Sequence, residues 1–310
     1  MADDTELYDR VADAAAVTVI THYSSSFGLA CRLLRQPTRQ RVHNVYALVR
    51  LADEIVDGPL GVHDPVRAGV LLDRLEQETV EAMSDGYSSN LVVHAFASTA
   101  RACGIGADLA TPFFASMRAD LSVHDHDALS FERYVYGSAE VVGLMCLRIF
   151  VADTPDAYDD LAPGARRLGA AFQKVNFLRD LADDVDARGR AYFPGVDPDH
   201  LTEADKHRIL DDIDGDLAAA AVAARHLPAD SRRAVVAAQA LFTELAARLR
   251  ATPTATIRAT RVRVPGPAKA RIALTVIARD LQGTHRAPNT RAARITSAAR
   301  ITSAARKKQS

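Results

Sequence analysis

The sequence has few cysteines, almost no net charge and no long apolar run, and each absence excludes a class of protein. Its three cysteines lie far apart among apolar neighbours, which is typical of reduced, buried thiols and does not indicate a metal cluster. A formal net charge of -1 gives no general attraction for nucleic acid. The best apolar stretch, Val141 to Leu147, is too short to span a bilayer. Nucleic-acid-binding and membrane-spanning classes are therefore disfavoured.

The N-terminal residues, MADDTELYDR, are acidic and contain no apolar core, so we expect no signal peptide and a cytoplasmic location. The chain also lacks an alternating run of β-branched residues long enough for a sheet. Long Ala-, Leu- and Arg-rich segments predict one all-α domain, residues 1–283, with a break at 58–64. The predicted helices cover residues 5–20, 22–34, 38–57, 65–84, 91–102, 107–120, 130–150, 163–187, 203–225, 229–250 and 266–281.

The end of the chain differs in composition. No acidic residue follows Asp280, and ITSAAR occurs twice in tandem. We therefore expect residues 284–310 to form a disordered basic tail. Its charge would attract an anionic membrane surface, although a tail without function is equally consistent with the sequence.

What the sequence does contain is two acidic motifs on apolar helices. The first is RLADEIVD, residues 50–57. On a helix, one wedge about 60° wide would carry Tyr46, Arg50, Asp53 and Asp57. An isolated pair of this kind is usually a solvated strip, because like charges one turn apart cost little in water. A second such motif makes that interpretation less favourable.

The second motif lies in AFQKVNFLRDLADDVDARGRAYFP, residues 171–194. On a helix, a face of about 80° would carry Gln173, Asn176, Asp180 and Asp184. If this face met the first, four carboxylates would surround one cavity. Desolvated carboxylates repel one another, and divalent cations would remove the repulsion. An all-oxygen ligand set favours Mg²⁺, with Mn²⁺ as an alternative.

Arginines beside both motifs suggest what such metal ions would bind. Arg50 and Arg179 can each offer paired donors to a diphosphate. The pattern therefore predicts a metal–diphosphate site in which an allylic diphosphate ionises. The resulting carbocation needs a dry apolar pocket, for which the candidate wall residues are Phe27, Phe172 and Phe177.

These motifs resemble those of the squalene/phytoene synthase family, particularly the bacterial phytoene synthases. The resemblance extends from about Tyr8 to Arg279 and rests on YSSSFGLA, YALVRLADEIVD, SMRAD, YVYGSAEVVGLM and QKVNFLRDLADDVDARGRAYFP, in that order. It implies an isoprenoid-synthase-type helical bundle with a central cavity. It also implies head-to-head condensation of two geranylgeranyl diphosphates, through prephytoene diphosphate, to phytoene. This reaction ends by proton loss, so NADPH is not expected.

The resemblance also implies roles for individual residues. Catalysis would depend on Asp53, Asp57, Asp180, Asp184, Arg50 and Tyr46. The metal ligands would be Asp53, Asp57, Asn176, Asp180 and Asp184. The substrate would be held by Tyr23, Ser24, Ser25, Ser26, Tyr46, Arg50, Gln173, Arg179, Arg188 and Arg190. The last two arginines would lie on a flap over the site or on a solvated loop, and the serines have a second interpretation as a helix N-cap.

The sequence departs from the family pattern at two places. Phe242 stands where the family usually has a tyrosine, and residues 251–265 replace an acidic-aromatic stretch, which leaves the C-terminal lid undefined. These departures concern the rate and the handling of intermediates rather than the reaction class.

Several alternatives remain open from the sequence. A squalene or dehydrosqualene synthase would use farnesyl diphosphate in the same cavity, and peripheral membrane contact would serve product release in either case. A terpene cyclase is disfavoured because no DDxxD motif is present, and a non-catalytic assembly factor because the aspartates are retained. A metal phosphohydrolase centred on HDHD, residues 124–127, is disfavoured because no further His/Asp set accompanies it.

Overall fold

The computed structural model describes residues 2–24, 26–182 and 190–284, and these ranges contain helices and no β-strand, which confirms the all-α prediction. The α-helices are α1 (Ala2–Tyr23), α2 (Ser26–Cys31), α3 (Thr38–Asp57), α4 (Pro59–His63), α5 (Pro65–Asp85), α6 (Leu91–Cys103), α7 (Ala107–Ala119), α8 (Ala128–Val135), α9 (Val141–Phe150), α10 (Tyr158–Arg179), α11 (Glu203–Ala224), α12 (Ala229–Ala251), α13 (Thr254–Ala259) and α14 (Gly266–Thr284). A π-helix, Tyr136–Glu140, joins α8 to α9, and 3-10 turns occur at Pro155–Ala157 and Pro198–His200.

Most predicted helices agree with these bounds to within a few residues, and α3 has the predicted limits. The helix predicted over 22–34 is shorter, because α2 ends at Cys31. The helix predicted over 130–150 contains the π-helix. The predicted break at 58–64 contains α4. The tail predicted for 284–310 lies, apart from its first residue, outside the described residues.

The helix that carries the second motif differs most from the prediction of 163–187. It begins earlier, at Tyr158, and ends at Arg179. Asp180 leaves helical backbone geometry, with φ −100° and ψ 12°, before Leu181 is helical again. Within the described residues, the helix of the second motif is therefore interrupted at Asp180.

Polar caps and glycines mark helix ends near the first motif. Asp64 accepts the N–H of Arg67 at 3.0 Å at the start of α5, and Pro65 follows it at the first helical position, where its missing N–H has no cost. Gly86 ends α5 with φ 86°, a left-handed conformation that glycine adopts readily. Asn90 then caps α6. The connections around α5 are therefore determined by local sequence.

Close helix packing surrounds the centre of the molecule. A Cβ atom at Gly143 would lie 2.6 Å from the carbonyl oxygen of Ala165, and one at Gly169 would lie 2.4 Å from that of Ala139. Glycine is therefore needed at both positions for α10 to approach α9 and the π-helix.

Ion pairs also hold α11 against α10. Arg167 and Lys174 of α10 bind the buried Asp216 of α11 at 2.7 and 2.9 Å. Lys174 also binds Asp212, which precedes Asp216 by one turn. Because the later residue of α10, Lys174, also pairs with the earlier residue of α11, Asp212, the two helices run antiparallel. Among the described helices, none has the length and apolar character needed to cross a bilayer.

Candidate active site

An apolar cavity lies between α2, α3, α9, α10, α11 and α12. The residues of α10 that line it run from Leu161 to Gln173, so it extends along about 18 Å of that helix. Leu161, near the start of α10, and Leu227, just after the end of α11, line one end of it. Ala and Gly make up 11 of the 27 lining residues. The cavity is therefore a long apolar space whose wall includes many small side chains.

The other end of the cavity leads towards both acidic motifs. On α3, Val49 lines the cavity and Asp53 lies one turn further along the helix. On α10, Gln173 lines the cavity and Asp180 follows two turns later, at the helix end. Phe27 and Phe172, two of the three aromatic residues predicted for the wall, also line it. The apolar space and the polar motifs are therefore adjacent.

The ends of α3 and α10 are joined through the segment that follows the second motif. Phe177 of α10 stacks on Tyr192, with ring centroids 3.9 Å apart. Arg190, two residues before Tyr192, donates from Nη1 to Oδ1 of Asp57 at 2.7 Å. Because Phe177 precedes Asp180 by one turn, both motifs lie at the same end of the bundle.

The first motif is crowded with like charge. Partial burial and the neighbouring carboxylate of Asp57 raise the pKa of Asp53 to about 7. Arg50 offsets this only in part, since it lies 3.8 Å from Asp53 and also pairs with Glu54. Its guanidinium carbon lies 4.5 Å from the centre of the Tyr23 ring. Two neighbouring carboxyl groups that repel each other offer hard oxygen donors to a divalent cation, so this donor set fits Mg²⁺.

Tyr46 lies between the first motif and the cavity wall. Its ring stacks on Phe27 with centroids 5.7 Å apart. Burial raises the pKa of Tyr46, and a hydrogen bond with Ser24 acts in the opposite direction. The Ser24 hydroxyl also accepts the N–H of Gly28 at 3.2 Å, so it caps the start of α2 as the second interpretation expected. Ser25 lies outside the described residues.

A buried polar cluster behind Asp57 was not predicted from the sequence. Arg190 donates from Nε to the carbonyl oxygen of Asp120 at 3.1 Å, and its Nη1 lies 3.6 Å from the Asp120 carboxylate. Tyr134 and Tyr192 donate their hydroxyls to the same carboxylate at 2.8 and 3.1 Å. Burial raises the pKa of Asp120 to about 6, although Arg190 acts to lower it. This cluster holds Arg190 beneath Asp57.

Arg190 is buried, which contradicts the solvated loop for this residue, and a flap over the site stays a prediction. Only 7% of its side chain is exposed, and its guanidinium contacts α3, Asp120 and Tyr192. The burial of Arg190 was not predicted, because a chain position after an acidic motif does not reveal a buried acidic partner. Arg188, predicted beside it, lies outside the described residues.

In the described part of the second motif, Asp180 is paired with two arginines. Arg179 donates to both oxygens of Asp180, with 2.8 Å between Nε and Oδ1. Arg261, from the segment between α13 and α14, also reaches both oxygens, at 2.7 and 3.1 Å. Asn176 lies one turn earlier, and its carbonyl accepts the N–H of Asp180 at 2.8 Å. Asp184 lies outside the described residues.

The expected convergence of four carboxylates stays a prediction, since Asp184 lies outside the described residues. The structure joins Asp57 to Arg190, and Asp180 to Arg179 and Arg261. Within residues 6–24, 27–182 and 190–278, no group of three or more His, Cys, Asp or Glu side chains is arranged to hold a metal ion. The metal ligand set remains a prediction.

The residues missed by sequence reasoning lie within segments that had been recognised. Asp120 ends SMRAD, Tyr134 begins YVYGSAEVVGLM, and Tyr192 lies in RAYFP. Nothing in their spacing indicated that they meet. Arg261 lies in the segment whose departure from the family pattern had left the C-terminal lid undefined.

The HDHD segment supports this cluster. The carbonyl of His124 accepts the N–H of Ala191 at 2.7 Å. The ring of His126 stacks on Tyr192 at 5.9 Å and lies 5.0 Å from Tyr134. The ring of His126 therefore has a structural role, which further disfavours a metal phosphohydrolase.

Comparison with known proteins agrees with this geometry. "Phytoene synthase, chloroplastic" from Daucus carota is 28% identical over 206 residues, 63% of this chain and 49% of that protein. "15-cis-phytoene synthase" from a Paracoccus strain is 30% identical over 184 residues, 57% of this chain and 58% of that protein. The matched part therefore spans about half the length of these relatives.

Solved structures show the same fold. A dehydrosqualene synthase aligns with a TM-score of 0.74 at 22% identity, covering 87% of this chain and 96% of that one. Squalene synthase HpnC from Alicyclobacillus acidocaldarius aligns with a TM-score of 0.68 at 19% identity, covering 79% and 95%. The sequence model of the family described as squalene/phytoene synthase matches residues 20–268. This chain therefore belongs to the squalene/phytoene synthase family.

Proposed function

We propose that the chain is a phytoene synthase of carotenoid biosynthesis. It would condense two geranylgeranyl diphosphates head to head, through prephytoene diphosphate, to phytoene and release two diphosphates. The observation that carries the proposal is the long apolar cavity, one end of which leads to two acidic motifs with adjoining arginines. The relatives named phytoene synthase support the choice of product.

The polar end would bind the diphosphate groups. Arg50 and Arg179 would donate to their oxygens, beside Tyr46, Gln173 and the serines at the start of α2. When bound, Mg²⁺ would neutralise the charge that develops on the departing diphosphate. Its proposed ligands are Asp53, Asp57, Asn176, Asp180 and Asp184. Arg190 would keep the Asp57 carboxylate in position from behind.

The cavity would protect the reacting carbons. When the allylic C–O bond breaks, both bonding electrons leave with the diphosphate, and the carbocation forms beside Phe27 and Phe172. Their wall offers few polar groups, so water is excluded and the double bond of the second substrate is the available nucleophile. The sequence of steps ends with loss of a proton, so no NADPH is required.

A second candidate is a squalene or dehydrosqualene synthase that uses farnesyl diphosphate. The names of the matching structures favour it. The two candidates differ in the length of the prenyl chain that the cavity accepts. A terpene cyclase has less support because the sequence has no DDxxD motif, and a non-catalytic assembly factor because the aspartates are retained.

The test is to incubate the purified protein and Mg²⁺ with each prenyl diphosphate, with and without NADPH, and to identify the hydrocarbons by mass spectrometry. The proposal expects phytoene from geranylgeranyl diphosphate, independent of NADPH, and no turnover in excess EDTA. A thirty-carbon product formed at a higher kcat/KM would assign the second candidate. Turnover that persists in EDTA would contradict the metal-dependent mechanism.

The location that we propose is cytoplasmic, with peripheral contact to a membrane that receives the hydrocarbon product. Removing residues 285–310 tests whether the basic tail contributes to this contact. The truncated protein should fold and remain active in detergent. Any change in vesicle binding should diminish at high salt, because charge attraction to a surface is screened.

A further inference from the structure

Asp180 is saturated by two guanidinium groups. Its Oδ1 receives Nε of Arg179 at 2.8 Å and Nε of Arg261 at 2.7 Å. Its Oδ2 receives Nη2 of each arginine, that of Arg261 at 3.1 Å. An ionised carboxylate has about four lone-pair positions, so two bidentate partners occupy all of them.

The two arginines are held very differently. Arg179 is the last residue of α10 and the direct neighbour of Asp180, and 21% of its side chain is exposed. Arg261 comes from 81 residues further along the chain, and 42% of its side chain is exposed. It lies on residues 260–265, which join α13 to α14 and which we call the strap. Val262 and Val264 pack the strap against the apolar cluster that contains Phe177.

This arrangement limits how a cation can reach Asp180. A divalent cation such as Mg²⁺ needs a carboxylate oxygen at about 2.0–2.1 Å with a free lone pair. At least one of the four arginine hydrogen bonds must therefore break before Asp180 can become a ligand. Releasing Arg261 costs less than releasing Arg179, because 42% of its side chain is already exposed. The strap that carries it is also not helical, so its movement breaks no helical hydrogen bond.

We propose that Arg261 is a positioning residue that holds the Asp180 carboxylate in place and competes with divalent cations for it. The strap would then be displaced from the second motif when a cation binds. The inference rests on the proposed function only in taking Asp180 as a metal ligand. It adds a link between that motif and the C-terminal part of the chain.

The test measures the binding of Mn²⁺ alone to the full chain, from the signal of free Mn²⁺ in electron paramagnetic resonance. The variants are Arg261→Gln and the matched control Arg263→Gln, which removes the same charge from the same strap at a position with no contact to Asp180 in the described residues. We expect Arg261→Gln to lower the Mn²⁺ Kd by about three- to tenfold. Arg263→Gln should change it by less than about twofold, because a solvated charge acts only through screened attraction.

Equal changes in the two variants would overturn the proposal, since removal of charge alone would explain them. Weaker Mn²⁺ binding by Arg261→Gln would also overturn it, because Arg261 would then assist the cation. If Arg261→Gln does not fold, Arg261→Lys replaces the fork by a single charge and should lower the Kd by a smaller factor. Absence of Mn²⁺ binding by the unchanged protein would instead count against the metal site of the proposed function.

Discussion

Arg190 donates to Asp57 across 133 residues of sequence, at 2.7 Å, and joins the first acidic motif to the chain that follows the second. The same guanidinium contacts Asp120, whose side chain is 6% exposed. A buried charge pair of this kind fixes geometry, and its loss leaves the remaining charge without compensation. The orientation of the first motif therefore depends on residues that are far from it in sequence.

Replacing Arg190 should be strongly destabilising. Arg190→Met would leave Asp120 buried without its cation, at a cost of about 3–5 kcal/mol in the free energy of unfolding. In the double variant with Asp120→Asn, the total loss should be smaller than the sum of the single losses by about 1–3 kcal/mol. Urea unfolding of the four proteins measures this coupling. Additive losses would show that the two residues act independently.

The raised pKa of Asp53 predicts a pH-dependent effect of Asp53→Asn. A carboxyl group whose pKa is raised to about 7 by folding contributes stability at low pH, and that contribution is lost as the pH rises through about 7. Asparagine does not ionise, so the variant escapes this loss. Without added metal, the melting temperature of the variant should rise relative to that of the unchanged protein as the pH increases from about 5 to about 8. A difference that is constant with pH would contradict the assignment.

Asp180→Asn should behave in the opposite way to Asp53→Asn. Asp180 is bound by two arginines, so an amide at this position loses two forked ion pairs. We expect a loss of about 1–2 kcal/mol in the free energy of unfolding at pH 8, where Asp53→Asn is neutral or stabilising. Activity should fall by orders of magnitude in both variants if both residues bind metal. Thermal unfolding beside product analysis makes the comparison, and equal stability changes would contradict the structural difference.

The sequence was sufficient to locate α3 and the first motif, because an apolar pattern at helical spacing, without Gly or Pro, indicates one uninterrupted helix. It was not sufficient for the second motif. The interruption at Asp180 coincides with two ion pairs, one of them from Arg261, and a distant partner leaves no trace in local spacing. The cluster of Asp120 with Arg190 was missed for the same reason.

The π-helix is a further case in which tertiary packing overrides local preference. Residues 130–150 have the apolar pattern of a continuous helix, yet Gly137 lies so close to α7 that a Cβ there would be 2.1 Å from Oγ of Ser116. This contact lies within the π-helical turn, whose next two residues, Ser138 and Ala139, line the cavity. The local sequence shows that a glycine is present. It cannot show that α7 packs against this position and makes the glycine necessary.

Phe242 stacks face to face on Phe172, with ring centroids 3.7 Å apart. Since Phe172 lines the cavity, Phe242 supports its wall from behind. Phe242→Tyr should be tolerated within about 1 kcal/mol of unfolding free energy, and Phe242→Ala should cost about 2 kcal/mol. Chemical denaturation measures both changes. A large loss with tyrosine would show that the para position of this ring has no space.

The end of the cavity at Leu161, away from the acidic motifs, predicts how the enzyme would select the length of its prenyl chain. Leu161 and Leu227 lie at this end, where α10 begins and α11 has just ended, and Ala224 lines the wall one turn before Leu227. Under the proposed function, the far end of a twenty-carbon chain would contact these residues. Shortening the space should therefore favour the fifteen-carbon substrate, and enlarging it should favour the longer one.

Two substitutions with opposite effects on this space separate selection from general damage. Ala224→Phe should raise the ratio of kcat/KM for farnesyl over geranylgeranyl diphosphate by at least about tenfold, because each buried methylene contributes about 0.8 kcal/mol and the longer chain loses several. Leu161→Ala should lower the same ratio, even if both variants lose stability through overpacking or a cavity. The ratio is insensitive to the fraction of folded enzyme, since both substrates compete for the same molecules. A ratio that changes in the same direction in both variants would show that this end of the cavity does not determine which prenyl chain length is accepted.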